Sequence, residues 1–347
     1  MMASQEDAVG GGAGGAGGAG ENLRVGLIGL GAMGRHHARV IRETDGMDLV
    51  AVADPGGDRF GVAGGLSVGK DVASIIDAGI DAAMVAVPTV YHEEVALALA
   101  EAGVHTMVEK PIAHDVPAGR RVAEAFEEAG LTGAVGYVER CNPAIVALRE
   151  KIAENFLGEI YQIQTFRQGP FPARISDVGV VKDLATHDVD LAAFVAGSPY
   201  ASIYARTTHR SGREFEDMVL ATGQLADGTM VGHTVNWLSP FKERRTVVTG
   251  ERGALVADTL NIDLTFYANG TVPTEWDAVA NFRGVSEGDV TRYAIPKREP
   301  LRVEQERFRD AIHGVSDLAV SMAEGVHTLE VVEAILAAAD TGEAVQL

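Results

Sequence analysis

The chain has 347 residues, of which 46% are hydrophobic and 22% are charged, so it can bury a substantial core and is expected to form two domains. Its formal net charge of −20 opposes binding to nucleic acid and to anionic membranes, so an anionic ligand would need local cations or helix ends. No apolar run approaches the roughly 18 to 20 residues of a membrane helix, and the single cysteine, Cys141, excludes an internal disulfide and favours the reducing cytoplasm.

The N-terminal segment, residues 1–21, is rich in glycine and alanine and has no apolar stretch. A secretory signal requires such a stretch, so this segment is not expected to be one. We therefore expect residues 1–21 to form a flexible tail.

The stretch from Leu23 to Asp54 predicts a strand, a glycine-rich turn, an amphipathic helix and a second strand. Gly29 would make the tight turn, Gly31 would let the backbone approach a pyrophosphate, and Gly34 would let the helix pack on the strand. Asp54 would accept the ribose hydroxyls and repel a 2′-phosphate, which favours NAD over NADP. The turn is predicted to bind NAD through Gly29, Gly31, Ala32, Met33 and Gly34.

Helices and buried strands alternate from Asp54 onward, which is typical of a parallel sheet with helices on both faces. The sequence predicts strands at Asp81–Val87, His105–Glu109 and Thr132–Tyr137, and helices at His92–Ala102 and from Asp115 to Gly130. We therefore predict an α/β Rossmann domain over residues 22–138.

Residues 139–347 are richer in consecutive strands, which predicts an α+β domain with an open, mainly antiparallel sheet. The predicted elements are helices at Pro143–Asn155, Lys182–Ala196 and between Leu301 and Ala339, a strand at Glu159–Arg167, and hairpins at Glu216–Trp237 and around Arg252. We expect the C-terminal helices to pack back on the first domain. An uncovered sheet face usually needs a partner, so a homodimer or homotetramer is expected.

The first motif that can carry chemistry is Glu109, Lys110 and Pro111, at the end of a predicted parallel strand. Ligands of open α/β sheets bind at the carboxyl ends of the strands. A lysine buried in such a cleft can transfer a proton, because burial lowers its pKa towards neutrality. The alternative is a surface lysine beside a proline turn.

The second motif is VVKDLATHDVD, in which Asp183 and His187 are four residues apart on a predicted helix. This spacing puts both side chains on one face. Histidine suits proton transfer to an alcohol oxygen, and Asp183 could orient it or hold a substrate hydroxyl. The alternative is an ion pair on the helix surface.

The other histidines are predicted to have structural roles and not catalytic ones. His36 and His37 follow the glycine turn and are predicted to be helix-surface or packing residues. The remaining histidines have no metal-ligand spacing, so no metal site is predicted. The sequence has neither a GxSxG elbow nor a P-loop, which gives hydrolases and kinases no support.

Three features in combination, GLGAMGRHHA, EKP and D-x-x-x-H-D, resemble the glucose-fructose oxidoreductase, inositol dehydrogenase and rhizopine-catabolism (Gfo/Idh/MocA) family. The resemblance runs from Leu23 to the C-terminus and implies an NAD-linked oxidoreductase that acts on a sugar or cyclitol hydroxyl. It implies a cis Lys110–Pro111 peptide. It also implies catalytic roles for Lys110, Asp183 and His187, a nicotinamide-ribose contact for Glu109, and a nicotinamide-side segment with Pro88 and His92.

The segments VGYVERCNPAI, GVVKDLATHDVDL and VNWLSPFKERRTVVTGERGALVAD resemble the subgroup that oxidises the 3-hydroxyl of UDP-N-acetylglucosamine or its relatives. This resemblance puts Arg140 and Asn142 at the border of the substrate cleft, and makes Arg167 and Arg174 candidates for diphosphate contact. Ordinary surface arginines are the alternative for the last two.

These features predict a cytoplasmic, NAD-dependent dehydrogenase that oxidises a secondary hydroxyl of a nucleotide-activated amino sugar. Two other functions stay open at this point. One is a dehydrogenase or ketoreductase of the same family that acts on a cyclitol or a deoxysugar. The other is a regulatory protein that senses NAD without turnover, although a sensor would not need Lys110, Asp183 and His187.

Overall fold

A computed structural model of the protein describes residues 22–172, 178–270 and 288–347. The predicted tail and Arg174 lie outside the described residues. The described residues form two sheets, one parallel and one mixed.

The first sheet has six parallel strands in the order β3-β2-β1-β4-β5-β6. Its strands are β1 (Leu23–Ile28), β2 (Met47–Ala53), β3 (Val68–Gly69), β4 (Ala82–Val85), β5 (His105–Glu109) and β6 (Gly133–Gly136), and its helices are α1 (Gly34–Glu43), α2 (Val72–Ile76), α3 (His92–Glu101) and α4 (Val116–Glu128). The strand order reverses between β1 and β4. That point opens the crevice in which ligands of such sheets bind.

Local sequence signals explain where the predicted helices begin and end. Asp115 caps α4, since its side chain accepts a hydrogen bond from the Ala118 N–H at 2.8 Å, and Pro117 occupies the first turn. Gly103 follows α3 with a positive φ of 76°. The sequence signals do not predict the two-residue strand β3 or the single-turn helix α2.

The second sheet has nine strands in the order β14-β13-β12-β11-β7-β10-β9-β8-β15. Only β7 and β10 pair in parallel, and all other neighbours are antiparallel. The strands are β7 (Ile160–Pro170), β8 (Tyr200–Thr208), β9 (Met218–Leu225), β10 (Met230–Asn236), β11 (Leu238–Gly250), β12 (Gly253–Asp258), β13 (Asp263–Ala268), β14 (Val290–Tyr293) and β15 (Val345–Gln346). The predicted fold class, a Rossmann domain followed by an α+β domain with a mainly antiparallel sheet, is confirmed.

One face of the second sheet is covered by helices and forms the larger core. Helices α5 (Pro143–Ala153) and α6 (Thr186–Ala196) pack there beside a C-terminal helix. Alternate residues of β7, such as Ile163 and Thr165, are fully buried against them. The segment predicted to be catalytic, which runs into α6, therefore lies on a packed surface.

The C-terminal segment predicted as helix divides into α7 (Pro300–Ile312) and α8 (Met322–Thr341). Gly314, with a φ of 68°, lies in the break, and a capping box between Ser321 and Glu324 begins the second helix. Helix α7 packs on α1 and α8 packs on α4, so both helices return to the first domain. Within the described part of the chain, none of the helices is long and apolar enough to cross a membrane.

Candidate active site

The glycine turn after β1 has the geometry that a dinucleotide needs. Gly29 has a φ of 94°, and a side chain there would overlap the Ala86 carbonyl oxygen. A side chain at Gly34 would overlap the Gly29 carbonyl oxygen, so α1 could not approach the strand. Gly31, in contrast, faces open space. An added Cβ would fill the very gap through which a pyrophosphate must approach the backbone, so the turn fits the predicted cofactor.

The rest of the turn remains accessible at the beginning of α1. Ala32 and Met33 are exposed, and Met33 precedes the first helical residue, Gly34. Unpaired N–H groups at a helix N-terminus attract phosphates. The predicted roles of Ala32 and Met33 in cofactor binding therefore stay as predictions that this geometry allows.

Asp54 follows β2 and braces the turn. One carboxylate oxygen accepts a hydrogen bond from the Leu30 N–H at 2.8 Å, and the other accepts one from the Gly56 N–H at 2.7 Å. Each carboxylate oxygen has a second lone pair for a ribose hydroxyl. Asp54 thus both shapes the turn and presents a negative charge where a 2′-phosphate would lie.

Lys110 and Asp183 meet across the two domains. The Lys110 ammonium donates to the Asp183 carbonyl oxygen at 2.7 Å and to the Asp183 carboxylate at 3.2 Å. Both side chains are more than four-fifths buried, and the Lys110–Pro111 peptide is cis, as the resemblance implied. The lysine therefore belongs to the cleft between the domains and is not an isolated surface residue.

The segment that carries Asp183 is wider than the regular helix that the sequence predicts. Residues Val181–Ala185 form a π-helical turn that continues into α6. Glu216 anchors its beginning, because its side chain accepts from the Val181 N–H at 3.0 Å and its carbonyl oxygen accepts from the Val180 N–H. Turns of this kind are frequent at functional sites.

His187 lies one turn beyond Asp183. Its Nδ1 atom and the Asp183 Oδ2 atom are both buried and have no hydrogen-bond partner among the residues that the structure describes. The imidazole packs edge-on to Tyr137 with ring centroids 6.0 Å apart, and the Tyr137 hydroxyl is fixed by Thr186 at 2.8 Å. Buried polar atoms without partners are costly, so this pair is prepared to hydrogen-bond a ligand.

Burial lowers the pKa of His187 well below its ordinary value, and the positive charges of Lys110, Arg167 and Arg244 lower it further. The imidazole is therefore neutral at physiological pH. A neutral imidazole can accept a proton from a hydroxyl group.

Glu109 is held by a chain of hydrogen bonds that the sequence analysis missed. The His37 Nε2 atom lies 2.8 Å from the Glu109 carboxylate, and the Gln305 side-chain amide lies 3.0 Å from His37 Nδ1. The ionised Glu109 carboxylate can only accept a hydrogen bond, so the ring proton is on Nε2 and points at the glutamate. Burial alone would raise the pKa of Glu109, but the hydrogen bond from His37 and the nearby cations hold it below its usual value. His37 is a packing residue, as predicted, but it also orients a predicted site residue.

Pro88 and His92 lie on either side of a short turn after β4. Pro88 precedes a short 3₁₀ turn at Thr89–Tyr91, and His92 begins α3. The buried His92 ring lies 2.8 Å from the Pro111 carbonyl oxygen and 3.0 Å from the Val87 carbonyl oxygen. Only 1% of the residue is exposed, and both ring nitrogens face backbone carbonyl oxygens. The predicted contacts of Pro88 and His92 with the cofactor stay predictions.

Arg140 and Asn142 each make structural contacts. The Arg140 guanidinium makes a bidentate pair with Asp190 at 2.7 and 2.9 Å and a third bond to Glu324 at 2.6 Å. The Asn142 side chain caps α5 through the Ala144 N–H at 3.1 Å. Both residues are at least 95% buried. Their predicted place at the border of the substrate cleft stays a prediction.

Arg167 is buried below α6 and is paired with Asp188 and Glu139, both at 2.9 Å. It is therefore no ordinary surface arginine. Its pairs hold it beside His187, whose pKa it helps to lower. A diphosphate contact by Arg167 or by Arg174 stays a prediction.

The comparisons with known proteins cover both domains. The family model described as "Oxidoreductase family, NAD-binding Rossmann fold" matches residues 23–137, and the GFO/IDH/MocA C-terminal domain matches residues 145–256. UDP-N-acetylglucosamine 3-dehydrogenase from Acidithiobacillus ferrooxidans is 28% identical over 297 residues, which are 84% of this chain and 89% of that protein. Its solved structure matches with a TM-score of 0.80 at 24% identity, over 92% of this chain and 98% of that one.

Two further relatives differ in the compounds that their names or titles print. Inositol 2-dehydrogenase 4 from Saccharopolyspora erythraea is 31% identical over 220 residues, which are 60% of this chain and 65% of that protein. The WlbA dehydrogenase from Bordetella pertussis, solved with NADH and UDP-GlcNAcA, has a TM-score of 0.76 at 23% identity and covers 94% of this chain and 99% of that one.

These findings decide against the NAD-sensing alternative, because the named relatives are dehydrogenases. They also confirm NAD as the cofactor, in agreement with the open glycine turn. The matched ranges include the glycine turn, Lys110 and the α6 motif, and together they span more than half of the chain. The chain therefore belongs to the GFO/IDH/MocA family of NAD-dependent oxidoreductases.

Proposed function

We propose that the protein oxidises a secondary hydroxyl, the 3-hydroxyl, of a UDP-N-acetyl amino sugar to a ketone. The observation that carries the chemistry is the pair of buried atoms without partners, Asp183 Oδ2 and His187 Nδ1, beside Lys110. The substrate class is supported by the similarity to UDP-N-acetylglucosamine 3-dehydrogenase, which extends over 84% of the chain. The inositol dehydrogenase match covers 60%.

The roles of the residues follow from their charges. Bound NAD would supply the hydride acceptor, held by the glycine turn and Asp54. His187 accepts the hydroxyl proton, because its lowered pKa keeps it neutral. Lys110 donates a hydrogen bond to the reacting oxygen, and Asp183 fixes the position of the ammonium group. Glu109, ionised and oriented by His37, is the contact proposed for the nicotinamide ribose.

A panel of candidate substrates tests this proposal. UDP-N-acetylglucosamine or its uronic acid should reduce NAD, whereas myo-inositol and glucose should do so far more slowly. The rate of NADH formation by absorbance gives the comparison, with enzyme-free mixtures as controls. Comparable rates with myo-inositol would favour the second candidate, a cyclitol dehydrogenase, which the 31% identity to inositol 2-dehydrogenase 4 supports.

The pH dependence should report the state of His187. An unperturbed histidine has a pKa of about 6.5 and would lose its base form below that pH. Because burial and three cations lower the pKa of His187, the neutral form persists to lower pH. We expect kcat/KM for oxidation to stay level from neutral pH to below pH 6. A decline with a midpoint near 6.5, absent from the His187→Ala variant, would contradict this role.

We also propose that the open face of the second sheet joins two copies of the chain. Apolar side chains stand exposed on the face away from the helices, namely Leu220 (52%), Met230 (47%), Tyr267 (47%) and Val290 (61%). Apolar patches of this kind commonly mark protein interfaces. We expect a homodimer or homotetramer in sedimentation analysis and a smaller species for the double variant Leu220→Glu, Met230→Glu. Val315→Glu, at an exposed loop residue, is the matched control.

We place the protein in the cytoplasm. Cys141 is free and buried, and burial raises the pKa of its thiol to about 12. Such a thiol is unreactive, and a chain with one free cysteine does not depend on an oxidising compartment for a disulfide. This location agrees with the predicted reducing environment.

A further inference from the structure

Two arginines lie side by side on the sheet below the catalytic helix. Arg244 of β11 is directly opposite Arg167 of β7 in the antiparallel pair. Further along β11, Thr246 and Val248 point into the core under α6. Side chains of a strand alternate between its two faces, so Arg244 lies on the same face as these two residues. Side chains opposite each other in such a pair have Cβ atoms about 4.5 to 5.5 Å apart. Two like charges thus lie close together next to the site.

The two arginines differ in their partners. Arg167 is paired with two carboxylates. Arg244 has no carboxylate within ion-pair distance among residues 22–172, 178–270 and 288–347. Its Nη1 donates to the Gln168 and Glu243 carbonyl oxygens, both at 2.8 Å. The Glu243 carboxylate is itself bound to Arg245 and Gln168.

The electrostatics agree with this geometry. Burial lowers the pKa of Arg244, and Arg167 lowers it further, so that these effects outweigh the more distant carboxylates. A half-buried cation without a counter-ion is unfavourable. Arg244 therefore gains stability from an anion that the described residues do not supply.

The position of Arg244 indicates which anion this is. Arg244 contributes to the lowered pKa of His187, the proposed base for the reacting hydroxyl. Arg244 lies opposite Arg167, which is itself paired with Asp188 at 2.9 Å. Asp188 directly follows His187 in the chain, so an anion bound at Arg244 would belong to the part of the substrate nearest the reacting hydroxyl. The guanidinium fork matches the oxygens of a carboxylate or a phosphate.

We propose that Arg244 binds an oxyanion carried by the sugar ring that is oxidised. The inference rests on the proposed function and names a specificity residue for it. The anion is either a carboxylate on the ring or the phosphate at the anomeric carbon. These two sources share the same chemistry and differ in which substrates they require.

Four ligands separate the two sources: N-acetylglucosamine, its uronic acid, and the UDP derivative of each. Binding to the NADH-loaded protein is measured by isothermal titration calorimetry, so no turnover is needed. Arg244→Gln should weaken binding of the ligands that carry the anion about tenfold to a hundredfold and leave the neutral sugar unchanged. A loss confined to both uronic acids identifies the carboxylate, and a loss confined to both UDP sugars identifies the phosphate.

Arg245→Gln is the matched control, because the neighbouring side chain is exposed on the other face and is paired with Glu243 at 2.9 Å. It should change no affinity by more than about twofold. Arg244→Lys keeps the charge but loses the fork, so its effect should be intermediate.

Equal losses of affinity for neutral and anionic ligands in Arg244→Gln, or no loss at all, would overturn the inference. If the wild type binds free and UDP-linked sugars equally, and Arg244→Gln still weakens binding of the uronic acids, the proposed function alone is wrong. If none of the four ligands binds, both are wrong.

Discussion

Lys110→Met and His187→Ala should each lower kcat about a hundredfold to ten-thousandfold, the usual contribution of a general acid–base group. In the proposed mechanism His187 is the neutral base, and Lys110, held by Asp183, donates to the reacting oxygen. Neither side chain belongs to the glycine turn. NADH affinity, measured by fluorescence titration, should therefore change little.

The controls are the same substitutions at residues outside the site. Lys151→Met removes a partly exposed lysine that pairs with Glu154, and His313→Ala removes an exposed histidine. Both should keep normal turnover. Near-normal kcat in Lys110→Met or in His187→Ala would remove that residue from the proposed mechanism.

Asp183→Asn tests whether Asp183 only orients Lys110 or also takes part in the proton transfer. The asparagine keeps one side-chain oxygen for Lys110, and the backbone oxygen at 2.7 Å is unchanged. We expect a smaller loss than in Lys110→Met, divided between kcat and KM. A loss as large as that of His187→Ala would indicate that Asp183 itself takes part in the proton transfer.

Arg140→Met should give the largest loss of stability. The buried guanidinium is paired bidentately with Asp190, which is 1% exposed. Removing one partner leaves a buried charge without compensation, and this costs about 3 to 5 kcal/mol. We expect a clearly lower urea midpoint, followed by far- and near-ultraviolet circular dichroism.

A second substitution tests that cause. Asp190→Asn in the Arg140→Met background removes the unpaired charge and should recover part of the stability. Arg120→Met is the control, because this exposed arginine pairs with Glu330 at the surface and its loss should leave the midpoint unchanged. An unchanged midpoint in Arg140→Met, or no recovery in the double variant, would contradict the assignment.

Sequence signals predicted those elements that local chemistry determines. The strand His105–Glu109 has the predicted bounds, because an apolar run ends there at a lysine and a proline. The start of α4 was evident from Asp115 and Pro117 for similar reasons. The glycine turn could be predicted because each glycine has its own steric requirement.

Long-range contacts explain what the sequence could not reveal. The π-helical turn before α6 depends on Glu216, which lies 35 residues from the N–H group that it binds. The buried ion pair of Arg140 could not be predicted, because its partner Asp190 is 50 residues away in the sequence. The cation that remains without a carboxylate, Arg244, could be identified only once the pairs of Arg167 were known.

The contact between Gln305 and His37 has a consequence for how the site is completed during synthesis. The ribosome releases the first domain well before α7, and N-terminal domains usually fold first. The glycine turn can therefore form early, but the amide that hydrogen-bonds His37 Nδ1 is 268 residues further along the chain. Until Gln305 arrives, only Glu109 holds the His37 ring, and the chain of hydrogen bonds behind Glu109 is incomplete. A nascent chain can thus hold the cofactor turn before it has a finished catalytic strand, which would delay oxidoreductase activity until translation is almost complete.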